Sequence, residues 1–443
     1  MVKAPLLKRY IRRLSVRRFS LSFPKTTMTS QSSPLPTWLK QTQREGYLAD
    51  VEKLLLERED ERRKFSRASR HKGNPSAIYR ILYTPSTVLK DDDLIAHYSV
   101  AHAYLPHNVT SNRYLDVAPY DRTRVVVGHL DATGHLDIEP AGRYLNASWV
   151  RELAGKKWWV ATQAPLPATI HAFLSLIVQP VAHPLDTSPT QASMTGSTSR
   201  IRTVVQLTKV REAGSRKAHF YFPQTPGESW ITPPESGCHA SPLKVTLLDT
   251  TIIEEAGCVK STVSIQPLSS SGASARPEGE PVVFTHMFYE GWPDHDVPDD
   301  PNSLLRFALL VDQVNRDVSS QNPEIQAKLD PDPPIMVGCS AGIGRTGTFI
   351  ALSSVLRAHR FLPPSASLLH DGDSGLPEVG PSPLGELPDA FKDDMIAQEV
   401  DALREQRPGM IQKLAQLKLV YELLVSLLLA GANEKPDAGT NGS

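Results

Sequence analysis

Residues 337–347 read Val-Gly-Cys-Ser-Ala-Gly-Ile-Gly-Arg-Thr-Gly and are the most informative stretch of this 443-residue chain. The apolar run Ile335–Val337 predicts a buried strand, and residues 348–356 predict a helix. Where a glycine-rich turn leads from a strand into a helix, backbone N–H groups and the positive end of the helix dipole favour a bound anion. The stretch therefore predicts an anion-binding loop between a strand and a helix.

Two side chains add chemistry to this loop, since Cys339 opens it and Arg345 closes it. A thiol placed among inward-facing N–H groups and a guanidinium should ionise readily, because each of these groups favours the charged form. The planar guanidinium of Arg345 can bind two oxygens of one phosphate. Together these features predict a nucleophilic cysteine in a phosphate cradle.

Three other interpretations of the loop compete with this one. The spacing of Gly342, Gly344 and Gly347 matches the G-x-G-x-x-G dinucleotide fingerprint, which also needs an acidic residue on a second strand about 20 residues later. Here the predicted helix leads instead into Phe-Leu-Pro-Pro at 361–364. A Walker A loop fails because no Gly-Lys-Ser/Thr is present. A buried structural cysteine beside a glycine turn stays open on the loop alone.

Composition limits the classes of protein that fit. Apolar residues make up 40% of the chain and the formal net charge is zero, so no overall field points to nucleic acid or a membrane surface. Only three cysteines occur, which excludes a disulfide framework and suits a reducing compartment. No apolar run reaches the roughly 20 residues of a membrane-spanning helix. We therefore expect no integral membrane segment; the oligomeric state has no sequence signal.

The N-terminal segment has a different composition from the rest. Residues 1–44 contain ten Lys or Arg and no acidic residue, with many Ser and Thr. This composition is typical of a mitochondrial transit peptide and equally of a disordered basic arm. We expect a disordered basic segment at 1–35 in a cytoplasmic protein, with a mitochondrial protein as the alternative.

Local patterns predict several elements of secondary structure. Helical periodicity predicts a helix within residues 38–70, and its charged run Glu57–Lys64 predicts a solvated face. Residues 303–318 predict an amphipathic helix. Short β-rich runs predict strands at 124–127, 158–162, 202–207 and 243–248.

The loop at 339–347 resembles the signature of the cysteine-based protein tyrosine phosphatases of the non-receptor type. Other segments resemble parts of that family in the same order along the chain, at 112–121, 144–148, 161–167, 292–294 and 406–412. The segment 208–222 resembles a further loop at the rim of the family's active site. The resemblance covers roughly residues 80–430, and chance does not plausibly supply so many ordered matches.

The resemblance implies an α/β fold, a single domain with a twisted mixed β-sheet flanked by helices. We expect this catalytic domain at 36–430 and a disordered tail at 431–443, with low-complexity inserts near 183–200, 266–280 and 363–390. The implied activity is a protein-tyrosine-phosphatase acting on phosphotyrosine-containing proteins, with no nucleic-acid partner. No metal or cofactor is expected, because backbone N–H groups and Arg345 neutralise the phosphoryl oxygens.

The family's catalytic roles, carried over to matching positions, describe a two-step reaction. Cys339 attacks phosphorus and forms a phosphocysteine, while Asp294 protonates the leaving phenoxide and then acts as base during hydrolysis. A positioned acid of this kind is typically worth about 10²–10⁴-fold in rate. Gln412 positions the attacking water and Gln416 assists, and their spacing predicts one face of a helix. Thr346 is expected to hydrogen-bond the leaving thiolate.

The resemblance also implies a set of substrate-binding residues. Tyr114 would present its ring to the substrate ring, Asp116 would accept N–H bonds from the peptide backbone, and Lys217 would pair with Asp294. The loop residues whose backbone would hold the phosphoryl group are Ser340, Ala341, Gly342, Ile343 and Gly344.

Three positions depart from the family pattern, and two other functions stay open. Gly338 stands where the family usually has His, and Asp296 and Ala164 stand where it usually has Gly. Without the imidazole at 338 we expect weaker thiolate stabilisation, which Gly338→His would restore if the ring has room. The other functions are a phosphotyrosine-binding protein without activity and a phosphatase with broader or lipid substrates. Tyr114 favours a deep cleft that selects aryl esters.

Overall fold

The computed structural model describes residues 35–70, 87–130, 136–137, 142–181, 199–269, 276–293, 297–319, 329–366 and 379–432. The basic segment through residue 34 and the tail from residue 433 lie outside the described residues. So do most of the insert predicted near 183–200, the central part of the two later inserts, and both Asp294 and Asp296. The expectations for these segments stay predictions.

A nine-stranded mixed sheet forms the centre of the fold, with the strand order β1-β4-β5-β13-β6-β12-β11-β10-β9. Its middle strands β5, β13, β6 and β12 run parallel, and the outer neighbours pair antiparallel. Two small hairpins, β2–β3 and β7–β8, stand apart from this sheet. The strands are β1 Arg124–Val127, β2 His129–Leu130, β3 Leu136–Asp137, β4 Arg143–Arg151, β5 Trp158–Gln163, β6 Thr203–Gln206, β7 Arg211–Glu212, β8 Ser215–Arg216, β9 Ser229–Thr232, β10 Leu243–Ile253, β11 Cys258–Pro267, β12 Val282–Tyr289 and β13 Ile335–Cys339.

Helices cover both faces of the sheet, and two of them begin at side-chain caps. The carboxylate of Asp300 accepts the N–H of Asn302 at the start of α5, and Asp394 accepts those of Ile396 and Ala397 at the start of α7. The α-helices are α1 Thr37–Lys40, α2 Tyr47–Ser69, α3 Thr87–His97, α4 Ile170–Val178, α5 Pro301–Arg316, α6 Gly344–Ala358, α7 Met395–Gln406 and α8 Leu414–Ala432.

The central strand β13 is buried from both sides. Ile335 and Val337 pack in the core cluster that contains Phe349 of α6, whereas Met336 packs in the opposite cluster with Phe173 of α4. A strand covered by helices on both faces is a continuous apolar run rather than an alternating one. Cys339 ends this strand between β5 and β6, so the packing of the whole sheet fixes the position of its thiol.

Most of the predicted elements are confirmed, with shifted ends. Strand β1 has the predicted bounds, while β10 continues past residue 248 to Ile253. The amphipathic helix begins at Pro301 rather than 303, because Pro301 follows the Asp300 cap and is preorganised for a first helical turn. The helical pattern at 38–70 divides into α1 and α2, and the residue before α2 is Gly46 with φ of 81°.

The solvated face predicted for α2 is wrong for part of its charged run. Glu59 and Arg62 are 1% and 0% exposed. Arg62 donates to Glu405 over 2.7 Å and to Asp401 over 2.5 Å, and both acids lie on α7. These partners are 343 and 339 residues away along the chain, so no local pattern could reveal that the charges are paired and buried.

Residues 382–387, within the insert predicted near 363–390, lie against helix α2. Arg58 of α2 donates through Nη2 to the backbone oxygen of Gly385 over 2.7 Å and to Ser382 Oγ over 3.2 Å. Leu387 is 9% exposed. Ser382 Oγ also donates to Glu405 Oε1 of α7 over 2.7 Å, so residues 382–387 contact both α2 and α7.

We expect Glu405→Gln to lower the free energy of unfolding more at neutral than at acid pH. Burial alone would raise the pKa of Glu405, but hydrogen bonds from His97 and Ser382 and the charge of Arg62 outweigh it and lower the pKa from 4.5 to about 2. A carboxylate with a depressed native pKa contributes stability above its unfolded pKa and loses it as pH falls toward the native value. At pH 7 the loss should be about 3 kcal/mol, at 1.36 kcal/mol per pKa unit.

The measurement is urea unfolding of wild type and variant at pH 7, 5 and 3.5. The difference in unfolding free energy between wild type and variant should shrink below about pH 4.5, the ordinary pKa from which that of Glu405 is lowered. If the difference in unfolding free energy were the same at every pH, Glu405 would stabilise the fold without its charge.

Candidate active site

The end of β13 is held on both sides by backbone hydrogen bonds. The backbone oxygen of Cys339 accepts from Ala164 N over 2.9 Å, and that of Gly338 accepts from Leu207 N over 2.8 Å. Cys339 is 6% exposed. The following residues lead directly into α6, which begins at Gly344, so Arg345 and Thr346 lie in the first turn of that helix.

The loop between Cys339 and α6 requires glycine at 342. Gly342 has φ of 72°, and a Cβ there would lie 2.3 Å from Thr162 O and 2.7 Å from Gln163 N. Both the backbone conformation and the close approach of β5 exclude a larger side chain. The glycine pattern that resembled a dinucleotide fingerprint thus reflects a loop packed directly on a neighbouring strand.

Arg407 holds the loop from behind. Its side chain is 0% exposed and donates to the backbone oxygens of Gly342 over 2.8 Å and Ala341 over 3.1 Å, and to Asn146 Oδ1 over 2.8 Å. Burial lowers the pKa of Arg407 to about 10, so the guanidinium stays charged at neutral pH. Because C=O and N–H point in opposite directions across a trans peptide, these two peptide groups turn their N–H away from Arg407.

Arg345 is fixed by a buried acid on the neighbouring hairpin. Its Nη1 donates to Glu212 Oε1 over 2.7 Å and its Nη2 to Glu212 Oε2 over 2.9 Å, while Nη1 also donates to Leu207 O over 2.9 Å. Glu212 is 9% exposed and accepts further bonds from Thr208 Oγ1 and Lys209 N, each over 3.0 Å. Such a two-point pair orients the guanidinium plane.

No role for Glu212 or Arg407 was predicted from the sequence. For Glu212, the only signal was its place in a segment that resembles a rim loop of the family. For Arg407, the only signal was its place in the segment 406–412, which also resembles part of the family. Both are charged residues that lie next to the 339–345 loop only in the folded chain.

The rim of the site joins the tyrosine loop to the hairpin. Tyr114 Oη lies 2.8 Å from Ser340 Oγ, and the Ser340 hydroxyl donates to the backbone oxygen of Lys217 over 2.8 Å. Tyr114 is half-buried and Asp116 is exposed. The structure therefore brings Tyr114, Ser340 and the backbone of Lys217 together beside Cys339, while the roles predicted for these residues stay predictions.

The segment that carries Gln412 differs from the predicted helix. Helix α8 begins only at Leu414, and Gln412 precedes it, following Ile411 with φ of 58°. Gln412 N nevertheless donates to Gln416 Oε1 over 3.1 Å. A Cβ on Gly344 would lie 2.7 Å from Gln412 Oε1 and 3.2 Å from Gln416 Nε2. Both amides thus contact the loop, although they do not share a helix face.

A buried arginine supports this irregular turn. Arg404 donates to the backbone oxygens of Met410 over 2.9 Å and Ile411 over 2.8 Å, and to that of Leu55 in α2 over 2.6 Å. A positive φ is rare for a β-branched residue. The turn is held at this point because Ile411 N also donates to Ile343 O over 3.2 Å.

The remaining predicted residues are Thr346 and Asp294. Thr346 is 0% exposed, and within the described part of the chain its Oγ1 has no hydrogen-bond partner. Asp294 lies outside the described residues, but Trp292, two positions earlier, is 1% exposed and packs edge-on to Tyr289 with ring centroids 6.3 Å apart. The chain is therefore anchored just before Asp294.

The part of the chain that the structure describes offers no candidate metal site and no candidate membrane-spanning helix. It contains no group of three or more His, Cys, Asp or Glu side chains that could hold a metal ion. None of its helices combines the length and apolar character needed to cross a membrane.

A sequence model of one family, "Protein-tyrosine phosphatase", matches residues 108–183 and 196–361, more than half of the chain. The chain belongs to the protein-tyrosine phosphatase family. The predicted family and its α/β fold are confirmed. The match includes the loop at 339–345, the hairpin with Glu212 and the tyrosine loop, so these are features of a phosphatase domain.

Similar phosphatases include both receptor and non-receptor types. Human receptor-type tyrosine-protein phosphatase H is 29% identical over 73% of this chain and 22% of that protein. Mouse tyrosine-protein phosphatase non-receptor type 14 is 27% identical over 74% of this chain and 21% of that protein. The chain thus spans about a fifth of the length of these relatives.

A solved structure described as "Structural basis of PTPN18 fingerprint on distinct HER2 tyrosine phosphorylation sites" shares the fold. It superimposes with a TM-score of 0.50 over 77% of this chain and 90% of that chain, at 22% identity.

We expect Gly338→Ala to destabilise the phosphatase domain. Gly338 pairs with Thr162 of β5, and a Cβ at 338 would lie 2.7 Å from Thr162 O and 3.1 Å from Thr162 Cγ2. Relieving such an overlap should cost about 1–3 kcal/mol of unfolding free energy. The larger side chain in Gly338→His should therefore lower stability further. The pocket has no room for the ring, so this variant should not restore the thiolate stabilisation expected from a histidine at 338.

Urea unfolding measures this effect, with Gly380→Ala as the matched control because a Cβ at Gly380 has no heavy atom within 4 Å. If Gly338→Ala unfolds at the same urea concentration as the wild type, β13 and β5 have room for a side chain at this point.

We expect Glu212→Gln to weaken both stability and turnover of p-nitrophenyl phosphate. Removing one partner of a buried ion pair leaves the other charge uncompensated, which typically costs about 3–5 kcal/mol. Arg345 would also lose its two-point orientation, so kcat/KM should fall by at least about 10-fold, which corresponds to 1.36 kcal/mol. Glu228→Gln, at an exposed glutamate, is the control. Unchanged kcat/KM in Glu212→Gln would show that Arg345 keeps its place without the pair.

Proposed function

We propose that this phosphatase hydrolyses phosphotyrosine in proteins through a phosphocysteine intermediate on Cys339. The observation that carries the proposal is the loop itself: the carbonyls of Ala341 and Gly342 point to the buried Arg407, and Arg345 is held at its end by Glu212. N–H groups turned the other way, with an oriented guanidinium, suit the three oxygens of a phosphoryl group.

In the first step the thiolate of Cys339 attacks phosphorus, and the bond from phosphorus to the tyrosine oxygen breaks. The electron pair of that bond goes to the phenolic oxygen, whose conjugate acid has a pKa of about 10. We assign Asp294 as the acid that protonates this oxygen as it leaves. This role rests on the resemblance of the Trp292-Pro293-Asp294 segment. The burial of Trp292 anchors the chain just before Asp294, which supports a loop that closes over substrate from a fixed start.

In the second step water attacks the phosphocysteine, the S–P bond breaks, and inorganic phosphate leaves. Gln412 and Gln416 are the residues we assign to orient the water, since both amides lie against Gly344 at the start of α6. Asp294, now ionised, accepts a proton from that water. The hydroxyl of Thr346, buried without a partner among the described residues, is assigned to donate to the departing thiolate.

The substrate side of the proposal rests on the rim. Tyr114 is positioned by its contact with Ser340 and would stack on the substrate ring, while the exposed Asp116 would accept N–H groups of the substrate backbone. A ring beside the loop favours a long aryl phosphate over a short serine phosphate. Cys238, Cys258 and Cys339 form no disulfide in the described structure, which fits a reducing compartment, and we propose the cytoplasm.

We expect Asp294→Ala to slow hydrolysis of a phosphotyrosine peptide by about 10²–10⁴-fold in kcat while peptide binding persists. The loss for p-nitrophenyl phosphate should be smaller, because its more acidic leaving group needs less protonation. Steady-state kinetics on both substrates test this. Equal losses would assign Asp294 a structural role.

Cys339→Ser is the companion variant, because a serine hydroxyl remains protonated and attacks poorly. It should bind the peptide and turn over neither substrate. A wild-type protein that binds phosphotyrosine peptides without hydrolysing them would replace the proposal with a binding function, and equal turnover of phosphotyrosine and phosphoserine peptides would contradict the assigned specificity.

A further inference from the structure

A cleft of about 390 Å³ lies between helix α4 and the edge strand β9. Three of its large apolar side chains are exposed to an unusual degree, with Phe220 at 49%, Trp230 at 40% and Ile231 at 63%. Helix α4 contributes Ile170 and His171 to the opposite wall, and Pro167 lies just before it. Exposed aromatic and aliphatic side chains gathered in one cleft indicate a binding surface.

The wall formed by β9 has a free backbone edge in the described structure. Strand β9, Ser229–Thr232, is the last strand of the sheet and pairs on one side with β10. The outer edge of such a strand presents N–H and C=O groups that an extended peptide can pair with.

Both walls of the cleft begin at the rim of the active site. On one side, Ala164 N donates to the backbone oxygen of Cys339, and Pro167 lies three residues further along. On the other, the backbone oxygen of Lys217 accepts from Ser340, and Phe220 lies three residues further along. Three residues of extended chain span at most about 10 Å. Both walls of the cleft therefore begin within about 10 Å of residues that contact the loop at 339–345.

We propose that this cleft binds the substrate itself, as an extended segment with a large apolar side chain three to five residues from the phosphotyrosine. The inference rests on the proposed function, because it takes the phosphotyrosine to be seated at Cys339. A substrate is favoured over a second copy of the chain because the cleft opens from the rim that the substrate must cross. The apolar side chain would lie among Phe220, Trp230 and Ile231.

The test compares kcat/KM for phosphotyrosine peptides that carry Phe or Ser at each of positions three to five on either side of the phosphotyrosine. On one side of the phosphotyrosine, kcat/KM for the Phe peptide should exceed that for the Ser peptide by about 10-fold, as expected for burial of a large apolar side chain.

Trp230→Ser and Phe220→Ser should abolish this preference and leave p-nitrophenyl phosphate turnover unchanged. Leu248→Ser removes an equally exposed side chain (48%) outside the cleft and should keep the preference.

The outcomes separate this inference from the proposed function. Wild-type protein that hydrolyses p-nitrophenyl phosphate but shows no Phe preference at any position overturns the cleft assignment alone. A wild-type protein that turns over no phosphate ester overturns the proposed function and this inference with it. Sedimentation analysis adds a third arm, since a wild-type dimer that Trp230→Ser converts to monomer, without any peptide preference, would assign the cleft to self-association.

Discussion

The active site depends on the hydrogen bonds that the buried guanidinium of Arg407 donates to the 339–345 loop. It binds two carbonyls of the loop and, through Asn146 and Ser148, the strand β4. A buried charge without such partners would be costly, and so would the carbonyls without their donor. The loop therefore has one favourable arrangement before any substrate arrives, with the N–H groups of Gly342 and Ile343 turned to the opposite side. This is preorganisation by the fold rather than by the ligand.

A second set of buried charges connects helix α2 to the same region. Arg62 lies between Asp401 and Glu405 of α7, and Arg404 on the same helix reaches back to Leu55. Asp394, which caps α7, also accepts the hydroxyls of Tyr47 and Tyr421, each over 2.7 Å. Because α7 leads into the turn that carries Gln412, the position of α2 is coupled to the residues assigned to water.

The active site combines residues on a packed scaffold with residues on loops at its rim. Cys339, Arg345 and Thr346 lie at the junction of a central strand and a buried helix, where packing fixes them. The residues assigned to substrate entry lie at the rim, on the tyrosine loop and the hairpin with Glu212. Elements placed on a scaffold hold geometry well, whereas loops allow closure and variation. The apolar cleft beyond Phe220 extends that variable rim.

The sequence by itself determined the elements whose signal is local. The run before Cys339 predicted β13 because a strand buried on both faces is apolar at every position. The glycines at 342 and 344 predicted a tight turn into a helix, and resemblance to a family supplied roles for Tyr114, Asp294 and Gln412. Only the tertiary structure decided which charges meet. Glu212 lies 133 residues from Arg345 and Arg407 lies 65 residues from Gly342. No periodicity records a partner at such distances, because the pairing arises from the packing of strands and helices that are far apart in the chain.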